Sequence, residues 1–128
     1  MNLAHIGISV ADLDITVKWY GEVLGFKELK RFEKKELEIK GALLSNGEIL
    51  LEALMPFNIV KKQAPPPSLI QTIRLQGLNH IAINVADVKA FYRKLQTQQV
   101  SLLTDLVEDR FFFCHDPDGV VLEIKQKQ

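Results

Sequence analysis

Two histidines and two glutamates stand at matching places in the two halves of this 128-residue chain. His5 lies in LAHIGISVADL and His80 in LNHIAINVADV, where Leu, His, Ile, Ile, Val, Ala and Asp recur in register. Glu52 lies in EILLEAL and Glu123 in GVVLEIK. The offset is 75 positions for the histidines and 71 for the glutamates, with 72 for the aromatic pairs Trp19-Tyr20 and Phe91-Tyr92. Small loop deletions in the second copy of a duplicated unit produce such a drift, and a repeat of this kind governs the reading of the whole fold. Two imidazoles and two carboxylates would balance the charge of one divalent cation, and nitrogen with oxygen donors suits Zn²⁺, Ni²⁺, Fe²⁺ or Mn²⁺. Cys114 is the single cysteine, so neither an intrachain disulfide nor a thiolate-rich site is available.

Strands must carry these residues. HIGISV alternates strictly, with Ile6, Ile8 and Val10 on one face and His5, Gly7 and Ser9 on the other. HIAINV repeats this, with His80 beside Ala82 and Asn84. Both histidines thus share a face with small or polar neighbours, which suits the floor of a cavity better than a packed core. Glu52 and Glu123 close their modules on strands of similar alternation. A carboxylate among leucines needs a compensating charge, because burying it unpaired costs several kcal/mol.

Between the strands the pattern predicts helices. Asp12 is placed as an N-cap, Gly25 as a stop, and Ile15, Trp19, Val23 and Leu24 as the inward stripe. DVKAFYRKLQTQQ repeats the helix in the second copy. KELKRFEKKEL, EIKGALLSNG and EILLEALM then read as three strands, as do SLLTDLVED, RFFFCHDPDG and GVVLEIKQK. SNGE and DPDG carry turn signals. Pro65-Pro66-Pro67 predicts an extended connector without regular structure. The expected fold class is α+β, one domain over residues 1–128 made of module 1–55, linker 56–77 and module 78–128, each module βαβββ.

The sequence has 16 basic and 16 acidic side chains and no net charge. A nucleic-acid or anionic-membrane partner would call for a clustered basic excess, so neither is expected. Hydrophobic residues make up 47% and charged residues 25%, enough for a real core. No stretch reads as a membrane span or a signal peptide, and a reducing, cytoplasmic setting is the expectation.

HIGISVADL with WYGEVLGF, LNHIAINVADV, and above all FFFCHDPDGVVLEI resemble the vicinal oxygen chelate superfamily. That group includes glyoxalase I, fosfomycin and bleomycin resistance proteins, methylmalonyl-CoA epimerase and extradiol dioxygenases. The resemblance implies two βαβββ modules forming a cupped mixed sheet around one divalent transition metal (Ni, Zn, Mn or Fe). Its ligands would be His5, Glu52, His80 and Glu123. It also implies a homodimer acting on a small molecule.

A full His-Glu-His-Glu set is most similar to glyoxalase I, which implies a lyase or isomerase working through a metal-stabilised enediolate. In that comparison Glu123 is the proton-carrying carboxylate and Glu52 its counterpart. The alternatives are a metal-free small-molecule binder of the resistance type and an Fe²⁺-dependent extradiol dioxygenase using His5 or His80 with Glu123. One departure bears on the substrate. Glutathione-using bacterial members carry an arginine near the place of Ser9, and this chain has none there; Arg93 and Arg110 are not obvious substitutes.

Overall fold

The alternation in HIGISV does set the first strand. In the computed structural model, which describes residues 1–128, β1 spans Ile6–Ser9. Ile8 and Val10 are buried, whereas His5, Gly7 and Ser9 are exposed. Helix α1 follows over Leu13–Leu24. The Asp12 carboxylate accepts a hydrogen bond from Ile15 N at 3.0 Å, and Gly25 ends the helix in the left-handed region at φ 72°. That conformation costs glycine little.

The buried stripe of α1 differs from the expected one. It is Leu13, Thr16, Tyr20 and Val23; Ile15 is exposed and Trp19 and Leu24 are only half-buried. The Tyr20 ring packs edge-on against Phe26, with centroids 5.5 Å apart. Residues three, four and seven positions from Tyr20 share its side of the helix. One aromatic contact beyond the helix therefore selects the face.

Three strands complete the first unit: β2 over Lys27–Lys34, β3 over Ile39–Ser45 and β4 over Leu50–Pro56. The sheet order is β1-β4-β3-β2. β1 runs parallel to β4, and the other pairs are antiparallel. The SNGE turn joins β3 to β4, with Asn46 Oδ1 accepting from Glu48 N and Ile49 N. Phe32 faces Gly41 across β2 and β3, and its ring occupies the place a Cβ at Gly41 would need.

The contacts divide the chain into two units, Met1–Lys62 and Gln63–Gln128. The second opens with a departure from expectation. A short helix, α2, spans Leu69–Ile73 directly after the prolines. The Ser68 hydroxyl caps it by accepting from Gln71 N at 3.2 Å, and donates to Gln71 Oε1 at 2.9 Å. The prolines leave the residues beyond them free to turn, and Ser-x-x-Gln has the sequence of a capping box, of which the Ser68 half is formed.

Next come β5 over Ile81–Val85, α3 over Val88–Thr97, β6 over Phe111–His115 and β7 over Val121–Gln126. The order β5-β7-β6 repeats β1-β4-β3 of the first unit, with β5 parallel to β7. The strand expected in SLLTDLVED is reduced to two isolated bridges, Leu102 with Cys114 and Val107 with Phe111. Glu108 and Asp109 both adopt positive φ, 49° and 55°, which breaks the extended run. Thr104 Oγ1 takes the Phe113 N–H at 3.0 Å, so a side chain replaces part of the ladder. The DPDG turn is held by Asp116, whose carboxylate accepts from Asp118 N and Val120 N at 2.9 and 2.8 Å. The fold is thus mixed α+β, with a small mixed sheet in each unit. No helix is long and apolar enough to cross a membrane.

Cys114 lies fully buried on β6. Burial, with the nearby Asp116 charge, pushes its thiol up to about 12. The native protein is expected not to react with a thiol-specific disulfide reagent at pH 8, and to release one equivalent of thiolate chromophore once denatured. A thiol that titrates in the folded chain would mean this strand opens readily. The sign for stability follows from linkage: the unfolded thiol ionises above about 9 and the folded one only near 12, so this contribution is full below pH 9 and is lost between those values.

Candidate metal centre

The parallel strand pairs place each histidine near its glutamate. In the first unit Gly7 pairs with Glu52; in the second, Ala82 pairs with Glu123. The two registers are equivalent under the repeat, so the histidine two residues earlier meets the carboxylate on the same face in both copies. The residue beside each carboxylate is small. A Cβ added at Gly7 would touch nothing within 4 Å, so this face of β1 is open.

The two pairs differ in tightness. His80 Nε2 lies 3.0 Å from Glu123 Oε2, with side chains 32% and 13% exposed. His5 Nε2 lies 3.9 Å from Glu52 Oε1, with side chains 45% and 29% exposed. In the second unit the Phe113 ring stands edge-on to His80 at 5.2 Å, and Lys125 Nζ is 4.0 Å from the other oxygen of Glu123. Asn79 Oδ1 meets His80 Nδ1 at 2.7 Å. Two donor atoms each about 2.1 Å from one ion are about 3.0 to 3.4 Å apart at right or tetrahedral angles. The His80–Glu123 pair already has that separation, and the His5–Glu52 pair needs only a side-chain adjustment. Imidazole nitrogen with carboxylate oxygen fits a divalent transition ion. Each unit supplies one such pair, and neither gathers three or more His, Cys, Asp or Glu side chains at one point.

Two residues beside Glu123 are not evident from the repeat. A cleft of about 370 Å³ in the second unit is lined in part by Arg110, Phe111, Glu123 and Lys125. Arg110 looks unconnected to the site in sequence; the Val107–Phe111 bridge and the hydrogen bond from Gln126 N to Arg110 O fold it against β7. Lys125 follows from period two, since it shares the Glu123 face. His115, the other imidazole of this unit, ends β6 and turns toward Ser101, whose hydroxyl lies 3.3 Å from its Nδ1. Its Nε2 is buried without a partner. Burial holds the ring below the usual imidazole range, with Asp116 opposing.

The sequence profile of the Glyoxalase/Bleomycin resistance protein/Dioxygenase superfamily matches residues 2–124. The chain is 30% identical to the uncharacterized protein YaeR of Escherichia coli (strain K12), covering 96% of this chain and 94% of that one. It is 31% identical to glyoxylase I 4 of Arabidopsis thaliana, covering 96% and 69%. The structure is similar to that of the trypanothione-dependent glyoxalase I of Leishmania major, with a TM-score of 0.82 and 25% identity over 98% of this chain and 86% of the other.

Proposed function

Because the chain belongs to the glyoxalase/bleomycin resistance protein/dioxygenase superfamily, we propose that it is a metal-dependent lyase or isomerase of the glyoxalase I type. Its reaction moves a proton between adjacent carbons of a small substrate bearing vicinal oxygens, by way of an enediolate. The observation that carries this reading is the His80–Glu123 pair at 3.0 Å on the open face of β5 and β7, with the His5–Glu52 pair at the equivalent register.

His5, Glu52, His80 and Glu123 are the ligands of one divalent transition ion (Ni, Zn, Mn or Fe), supplied by one chain or by two. Such an ion, when bound, acts as a Lewis acid that polarises the substrate oxygens. The chain's own groups do the rest. Glu123 takes up and returns the proton, with Lys125 Nζ standing 4.0 Å from its second oxygen. Glu52 is its counterpart. Gly7 and Ala82 leave room for substrate beside the two carboxylates. Arg110 and Lys125 at the cleft give an anionic substituent a place to dock. Glutathione is not required by this arrangement. The reading also carries a homodimer and a cytoplasmic setting.

Metal analysis of the purified protein beside Glu52→Ala is the deciding experiment. One transition metal per chain is expected in the unaltered protein, with much weaker retention in the variant. Added Ni²⁺, Zn²⁺, Mn²⁺ or Fe²⁺ at a thousand times its Kd should stabilise the fold by about 4 kcal/mol. No bound metal and no thermal stabilisation by any of the four would overturn the reading and leave a metal-free binder of small molecules.

A further inference from the structure

Asn79 stands immediately before His80, where the first copy has Ala4 before His5. Its side-chain amide is held at both ends. Nδ2 donates to the carbonyl of Thr72 at 3.3 Å, and Oδ1 faces His80 Nδ1 at 2.7 Å. A backbone carbonyl only accepts, so the amide nitrogen must point at Thr72 and the amide oxygen at the imidazole. An amide oxygen also only accepts. The hydrogen in that second contact therefore belongs to Nδ1, which leaves Nε2 as the nitrogen turned toward Glu123 at 3.0 Å.

The support continues into the connector. Thr72 is buried. Its Oγ1 donates to Ser68 O at 2.8 Å, and Ser68 caps α2. The short helix thus fixes the carbonyl that fixes the amide that orients the ring. His5 has no such chain of contacts, and its pair is looser by 0.9 Å, the difference between 3.9 and 3.0 Å.

We infer that Asn79 is a positioning residue: it holds the Nδ1–H of His80 and so aims Nε2 at Glu123, while α2 serves as its brace. The same brace makes the His80–Glu123 half of the site the preformed one. This second statement rests on the metal-dependent reading above; the tautomer does not.

The test uses the full chain, ¹⁵N-labelled and metal-free, at pH 8. Long-range ¹H–¹⁵N spectra of the ring nitrogens report the tautomer directly. His80 Nδ1 is expected to carry a proton, with His5 as the internal reference. Asn79→Leu should deplete the proton on Nδ1 and leave it on Nε2, facing the Glu123 carboxylate, and Asn79→Asp, which keeps an acceptor, should retain it on Nδ1. If the leucine variant does not fold, Asn79→Ala makes the same comparison. In Co²⁺ titrations followed by visible absorption, Asn79→Leu should bind about 10 to 100-fold more weakly, the usual scale for loss of a partner behind a ligand, and Asn79→Asp should recover most of it. An unchanged Nδ1–H tautomer in Asn79→Leu overturns the inference. A tautomer shift in a protein that binds no Co²⁺ upholds Asn79 and α2 as the brace of His80, and removes the metal-dependent reading instead.

Discussion

Glu123→Gln is expected to slow proton exchange at the reacting carbon by about 10²- to 10⁴-fold, the usual span of general acid–base catalysis by a positioned side chain. Stability should change little. Gln keeps the shape of the side chain and still presents a carbonyl oxygen at the place of Oε2, 3.0 Å from His80. What it loses is the capacity to hold a proton, together with one negative charge on the ligand set. A substrate need not be known in advance. Small 2-hydroxyketones, and hemithioacetals of 2-oxoaldehydes with simple thiols, can be incubated in D₂O with metal-loaded protein, and deuterium entry at the carbon next to the carbonyl followed by NMR. Glu52→Gln provides the companion measurement. Equal exchange rates in the unaltered protein and Glu123→Gln, with metal bound in both, would remove Glu123 from the proton path.

Phe112→Ala should have the largest effect on the fold itself, a loss of about 3 to 5 kcal/mol. Phe112 is fully buried on β6, pairs with Ile124 of β7 and meets the Tyr92 ring of α3 edge-on at 5.0 Å. Total stabilities of domains this size run to about 5 to 15 kcal/mol, so one truncation takes a large share. The next residue makes the contrast. Phe113 points to the opposite face, beside His80, so Phe113→Leu should spare more of the stability while disturbing the imidazole. Urea unfolding read by far-UV circular dichroism gives both values. A midpoint for Phe112→Ala within about 1 kcal/mol of the unaltered protein, at unchanged slope, would show that this sheet face is not the core.

Period-two alternation made the strands legible, because one side of β1 and of β7 is buried and a one-residue slip would reverse every side chain. The matched registers Gly7–Glu52 and Ala82–Glu123 are the physical content of the drifting offsets, and the His–Glu pairing in each copy follows from them. What stayed hidden depended on contacts distant in sequence. The face of α1 was chosen by Tyr20 meeting Phe26, not by its own apolar spacing. The missing strand in the second copy was decided at Glu108 and Asp109, whose positive φ no propensity announces. The short helix α2 was legible in principle, since Ser68 and Gln71 spell its cap, but the neighbouring prolines masked the signal. Arg110 entered the cleft only through the tertiary bridge that folds it against β7.

The buried thiol of Cys114 has a practical consequence for spectroscopy. The natural sequence is expected to serve as its own cysteine-free background for maleimide chemistry near neutral pH, with no preparatory substitution. Glu36→Cys and Asp109→Cys, both at exposed positions of different units, can each be derivatised selectively, or together with nitroxide labels. Pulsed dipolar spectroscopy of the doubly labelled chain then gives the distribution of distances between the two repeats, with and without added divalent ions.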